Sequence, residues 1–331
     1  MAPDKLPFDT RFLPIFGVKG ACCRCAVSSP RRWNDRPRNA LEVFTNADGA
    51  MHQPLEHKDG GAVVYLSLCE LGDARHAHVY VAEETPVAFR YDGFSHGVMM
   101  ASPEDLEDFA TGFSVSEGII DASGSLRATS ISRHDDGITI DVSLHARDLH
   151  RYLAGRRVRQ LRGNTSCGLC GVEDLADIRR PATRVEPGKP LDVDLIRATL
   201  IKLRQWQPLS RQTRGAHASA WVTQQGELCA VREDVGRHNS LDKLIGSLVR
   251  SGSRPPLGFC LITSRCSFEM VQKAVAAGFP TLVSVGAPTA HAVRLASAAG
   301  LMLYSLSRDG EPLLFTSPGV PELEVWPELA S

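Results

Sequence analysis

Two cysteines, Cys167 and Cys170, stand three residues apart in Ser166-Cys167-Gly168-Leu169-Cys170-Gly171, a short run flanked by glycines. The approach to them is cationic: Arg151, Arg156, Arg157, Arg159 and Arg162 precede the first thiol, with no acid among them. Positive charge favours thiolate over thiol, and thiolate is the form that attacks sulfur or ligates metal. The C-x-x-C spacing therefore reads as reactive-sulfur chemistry or as half of a metal site.

Other residues carry weaker signals. Arg232-Glu233-Asp234-Val235-Gly236-Arg237-His238-Asn239 concentrates polar side chains where a helix begins. It reads equally as a capped, solvent-facing helix start or as the polar wall of a pocket, with His238 able to exchange protons near neutral pH. Gly93-Phe94-Ser95-His96-Gly97 matches the hydrolase pattern G-x-S-x-G. A nucleophile elbow needs a strand-to-helix turn, and here an Asp-Gly hairpin joins two strands. His217-Ala218-Ser219 with Cys167 and Cys170 invites comparison with zinc deaminases, but Ser219 stands where their glutamate should be and the cysteines come first. Structural zinc uses clustered ligand pairs, and His217 and His238 supply none, so no metal site is expected. Cys22, Cys23 and Cys25 likewise lack a second ligand pair nearby. Met99, Met100 and Trp221 read as core.

The elements that must position these residues follow from pattern. With 331 residues, 43% hydrophobic, the chain has room for two lobes. A net charge of -1 argues against nucleic acid as a partner, and nine cysteines, an odd number, fit a reducing compartment. No apolar stretch follows Arg31-Arg32, so no twin-arginine signal is read. The charge-free window Ala274–Val293 is cut by Gly278-Phe279-Pro280 and Gly286-Ala287-Pro288, and reads as buried core rather than a membrane span. Residues 1–78 read as an irregular extension with a short strand at Ala62–Leu68. Residues 79–165 read as a smaller α+β lobe ending in the basic segment, with a helix opened by Ser102 as cap and Pro103 at its first position. Residues 166–316 read as the C-x-x-C loop and an α/β core, and 317–331 as a tail. The β-α alternation of the last third predicts a mostly parallel, covered sheet. Ligands of such sheets sit beyond the strands' carboxyl ends. That rule selects Ser264-Arg265-Cys266, Gly286-Ala287-Pro288 and residues 307–311 as loops suited to a phosphate.

Residues from about Val79 to Thr316 resemble the formate dehydrogenase accessory sulfurtransferases, the sulfur carrier proteins called FdhD. The segments that carry the likeness are Glu83–Val87, Met99–Ile120, Cys167–Gly171, His217–Trp221, Arg232–Gly246, Ser264–Lys273 and Ala287-Pro288-Thr289. The resemblance implies a cytidine-deaminase-like mixed sheet with flanking helices, in a cytoplasmic homodimer. It implies transfer of sulfane sulfur from a cysteine desulfurase to the molybdenum or tungsten bis(molybdopterin guanine dinucleotide) cofactor of formate dehydrogenase, with guanosine diphosphate as a mimic of the cofactor's tail. Cys167 would carry the persulfide. The nucleotide loop would fall on Leu306, Ser307, Arg308, Asp309, Gly310 and Glu311, where many members have a basic residue in place of Glu311. Arg265 and His238 are the further pocket residues expected, and Cys170 is expected to supply reducing electrons. The competing class is a binder that shelters the cofactor without transferring sulfur, its two thiols serving as metal ligands or a redox switch.

Overall fold

The computed structural model describes residues 61–69, 76–121, 124–160, 184–252, 257–306 and 310–317. Cys22, Cys23, Cys25, Cys167, Cys170, Ser307, Arg308 and Asp309 lie outside them. Mixed sheets with flanking helices make up the fold, as the sequence led us to expect. β1 (Val63–Cys69) pairs antiparallel with β2 (His76–Ala82), so this hairpin spans the boundary drawn after residue 78.

A four-stranded sheet has the order β4-β3-β6-β5, comprising β3 (Thr85–Tyr91), β4 (Phe94–Ala101), β5 (Ala128–His134) and β6 (Gly137–Ser143). Asp92 and Gly93 both take positive φ, 46° and 82°, as the tight primed hairpin between twisted strands requires. Ser95 therefore sits on a strand, without the geometry of a nucleophile elbow. Side chains alternate across a strand, so Val87, Phe89 and Tyr91 share a buried face with Ile138, Ile140 and Val142. Helix α1 (Leu106–Ser116) covers that face, its Phe109 and Phe113 rings 5.1 and 4.8 Å from Phe89.

Helix α1 does not start at Ser102. It starts at Leu106, after Asp105 at φ 53°, because Ser102 is committed elsewhere. Its N–H donates to Asp234 (3.0 Å), its Oγ accepts from the Val235 N–H (3.2 Å) and its carbonyl accepts from Lys243 (2.9 Å). Met100, read as core, is 45% exposed, since it faces away from α1. Arg151, Arg156, Arg157 and Arg159 of the arginine-rich approach lie on helix α2 (Ala146–Gln160), and Arg151 pairs with Asp121 at 2.9 Å and Asp148 at 3.6 Å.

The larger sheet has the order β12-β11-β10-β9-β7-β8. Its strands are β7 (His217–Thr223), β8 (Leu228–Asp234), β9 (Gly258–Cys266), β10 (Thr281–Pro288), β11 (Met302–Leu306) and β12 (Pro312–Thr316). β9, β10 and β11 are parallel. β7 is antiparallel to both its neighbours, which turns β8 back to the direction of β9. On one face Trp221, Cys260, Ile262, Leu282 and Leu303 join the main core; on the other Ala220, Val222, Phe259, Leu261, Val283, Met302 and Tyr304 form a second. Helices α5 (Arg237–Arg250), α6 (Phe268–Ala276) and α7 (Ala290–Ala299) supply the main core, while α3 (Val193–Leu203) covers the second. A short α4 (Pro208–Thr213) leads into β7. Ala274–Val293 is the end of α6, β10 and the start of α7. Among the described residues no helix is long and apolar enough to cross a membrane.

Candidate functional site

Strand direction decides where a ligand can sit. β8, β9, β10 and β11 deliver their carboxyl ends, Asp234, Cys266, Pro288 and Leu306, to one edge of the sheet. The amino end of β7 brings His217 there, in register with Asp234. Because α5, α6 and α7 each follow one of these strands, their N-termini open at the same edge. Thr289 caps α7, while α5 and α6 have no side-chain cap, and their N–H groups and helix dipoles favour an anion.

Two of the three segments expected as loops are strand. Ser264-Arg265-Cys266 ends β9 and Gly286-Ala287-Pro288 ends β10; they pair through two register shifts, Gly286 with Arg265 and Pro288 with Cys266. A Cβ on Gly286 would come 2.9 Å from the Arg265 Cα, so only glycine allows this approach. The irregular pairing leaves Arg265 exposed at the rim. Ser305 fixes the edge by donating its hydroxyl to the Gly286 carbonyl at 3.0 Å. Of the third segment only Gly310 and Glu311 are described; they precede β12, a strand the sequence reading lacked, which pairs antiparallel with β11. Gly310 has φ 82°, and Glu311 is ion-paired with Arg197 of α3. The acid that breaks the expected basic pattern is thus matched by a cation from another element.

His238 occupies the first turn of α5. Its Nε2 is shielded from solvent and has no hydrogen-bond partner among the described residues; Glu269 Oε2 lies 3.8 Å away. Burial, with Arg237 and Lys273 adding to it, lowers the His238 pKa to about 4, against the opposing pull of Glu269 and Glu117. Ser267, at the N-cap of α6, makes no capping bond, and its hydroxyl also lacks a partner among the described residues. Burial and Arg237 likewise lower the His217 pKa, against the pull of Asp234. These imidazoles are held neutral.

Beneath this edge lies a layer of buried charge that sequence reasoning missed. Asp234, fully buried, accepts from Lys243 (2.7 Å), the Gly236 N–H (2.7 Å), Asn239 (3.0 Å) and the Ser102 N–H. Lys273 reaches Asp242 at 2.9 Å and Glu117 at 3.6 Å, and Ser116 donates to Asp242 at 2.6 Å. Burial lowers the Lys273 pKa, but the Asp242 and Glu117 carboxylates outweigh it, so the net shift is upward and the ammonium stays charged. Arg232-to-Asn239 therefore contains part of a buried ionic scaffold, which is more than the capped, solvent-facing helix start that the sequence also allowed. The missed signal was a helix with Asp242 and Lys243 inside its apolar stretch, where unpaired charge would be prohibitive.

No strong nucleophile is found among the cysteines whose side chains are described. Burial raises Cys260 and pushes Cys266 up to about 12; burial and Glu227 raise exposed Cys229. Thiols so shifted are poor thiolates at neutral pH.

A model of the FdhD/NarQ family matches residues 82–320, across both sheets. The chain belongs to the FdhD/NarQ family. Its relatives include the sulfur carrier protein FdhD of Xanthomonas axonopodis pv. citri, 43% identical over 72% of this chain and 84% of that one. The protein of the same name from Cupriavidus necator is 44% identical over 72% of this chain and 82% of its own. A solved structure from Desulfotalea psychrophila, described as a formate dehydrogenase accessory protein, shares the fold at TM-score 0.58. It is 24% identical and covers 77% of this chain and 96% of its own. The relatives this chain matches are named as sulfur carriers, and the described part of this chain supplies a scaffold and an anion-favouring edge.

Proposed function

We propose that this chain takes sulfane sulfur onto Cys167 from a cysteine desulfurase. It delivers that sulfur to the molybdenum or tungsten bis(molybdopterin guanine dinucleotide) cofactor of formate dehydrogenase. The observation that carries the reading is kinship over 72% of the chain with proteins named as sulfur carriers. Two physical features support it. The basic run before Cys167 favours a thiolate, with Arg151 contributing less than its charge because acids already pair with it. The carboxyl edge of the larger sheet gathers three helix N-termini with Arg237 and Arg265, a setting suited to the phosphates of a dinucleotide tail.

The chemistry balances with the residues at hand. Cys167 thiolate attacks the outer sulfur of the donor persulfide; the new S–S bond forms as the old one breaks, and the donor leaves as a thiolate. Release as sulfide needs two electrons, because sulfane sulfur is formally zero-valent. Cys170 supplies them by closing a Cys167–Cys170 disulfide as the sulfur departs. We read the protein as a cytoplasmic homodimer, with Leu306 to Glu311, Arg265 and His238 at the nucleotide site.

Cyanolysis after desulfurase treatment tests the first step. Wild type is expected to gain cyanide-labile sulfur, and Cys167→Ser to gain none and to abolish host formate oxidation. A Cys167→Ser chain that still supports formate oxidation ends the proposal.

A further inference from the structure

We propose that binding of a phosphate-class anion at the carboxyl edge of the larger sheet is coupled to uptake of a proton by His238, which then holds the anion as an imidazolium. This rests on the nucleotide-site reading above and adds the regulation of that site.

The geometry begins with a buried nitrogen that has nothing to bond. His238 Nε2 is screened from solvent and lacks a hydrogen-bond partner among the described residues, and Glu269 at 3.8 Å stands beyond hydrogen-bond reach. A buried polar atom left unsatisfied is costly, so such an atom beside an open edge marks where a ligand completes the bonding. Ser267 Oγ, at the cap of the next helix, is in the same condition. Neither α5 nor α6 has a side-chain cap, so both first turns keep N–H groups for an incoming acceptor.

The charges around His238 set the sign of the coupling. Arg237 neighbours it on α5; α6 contributes Glu269 and Lys273; Glu117 approaches from the end of α1. Lys273 is fixed by Asp242 and Glu117 and cannot swing away without breaking that cluster. Two cations and burial outweigh two acids, so the free imidazole is neutral. A phosphate entering the edge offsets Arg237 and Lys273 and offers Nε2 an acceptor. Both effects favour the charged ring. By linkage, binding then takes up a proton and strengthens as pH falls, by at most about tenfold per pH unit.

The test uses the full chain with guanosine diphosphate and, separately, inorganic pyrophosphate. Calorimetry at pH 5.5 to 6.5 in buffers of different ionisation heat reads the protons taken up per ligand. Wild type is expected to take up more than His238→Gln, and the difference isolates His238 because the ligand's own titration is common to both. Equal uptake in the two proteins overturns the coupling. NMR of the wild-type imidazole provides a second reading that needs no variant at position 238. Saturating pyrophosphate should move its titration upward by a pH unit or more, and an unmoved midpoint also overturns the proposal. Arg237→Gln should raise the ligand-free midpoint and Glu269→Gln should lower it. Binding without proton uptake removes this inference alone; no binding of either ligand removes it together with the nucleotide-site reading.

Discussion

Lys243 is completely buried; among the described residues its ammonium bonds Asp234 and the Ser102 carbonyl and lies 5.8 Å from the Phe109 ring centroid. Removing the cation leaves Asp234 buried without its counter-charge, so Lys243→Met should cost about 3–5 kcal/mol of stability. Urea denaturation checks it, and the double variant with Asp234→Asn should recover part of the loss; a cost below about 1 kcal/mol would refute the pairing's importance. His238 gives a pH signature of opposite origin. Its folded-state pKa is about 4, below the ordinary value of about 6.5, so the unfolded chain binds the proton first. Its contribution is therefore fully present above about pH 6.5 and is lost as pH falls toward 4, by up to roughly 3 kcal/mol. His238→Gln should flatten the stability curve between those limits, and an unchanged slope in urea melts would contradict the assignment. At this scale the sequence displayed Cys167, Cys170, Arg265 and His238 as chemically interesting. It did not reveal that Asp242 meets Lys273 or that Ser102 meets Asp234, because those partners are 31 and 132 residues apart and only folding joins them.

Helix α1 meets α5 at a close crossing marked by two glycines. A Cβ on Gly112 would lie 1.7 Å from the Asp242 carbonyl oxygen, and one on Gly246 would lie 1.8 Å from that of Asp108. Only backbone surfaces without side chains can approach so closely. Gly112→Ala and Gly246→Ala should each destabilise by on the order of 3 kcal/mol, because the obstructing atoms are main chain and cannot rotate aside. Gly118→Ala is the control: its φ is 67° with open space around it, so it should cost only about 1 kcal/mol. Similar losses in the three variants, by urea midpoints, would show that the crossing is not a constraint. Elements with clean periodicity were legible: β6, α3, and the alternation from β7 to β11. The start of α1 was not, since Ser102-Pro103 is a good cap signal overridden by tertiary bonds to Asp234 and Lys243. Helix α2 was hidden because its apolar stripe is short: Leu149, Tyr152 and Leu153 face the main core amid a run of arginines that dominates the pattern.

The main core is continuous through both sheets: Phe89 and Ile140 of the smaller one and Cys260 and Leu282 of the larger belong to one buried cluster, with Leu241, Leu244 and Ile245 of α5 between them. A shared core predicts shared opening. Native-state hydrogen exchange should give amides of β3 and β6 the same largest opening free energy as those of β9 and β10. Two clearly separated values would mean that the sheets unfold independently. Such a core also explains how the carboxyl edge is held, because α1, α5 and α6 anchor its helix starts from below through Asp234–Lys243 and Asp242–Lys273. The sequence by itself determined the α/β class, the order of most elements and the short list of reactive side chains. Those depend on local periodicity, turn chemistry and residue type, which neighbours along the chain can specify. Only the tertiary structure decided that Arg265 lies on a bulged strand end, that Glu311 is matched by Arg197, and that the Nε2 of half-buried His238 is shielded near two cations without a hydrogen-bond partner among the described residues. Such facts depend on distance and burial between remote segments, quantities that spacing along a chain does not contain.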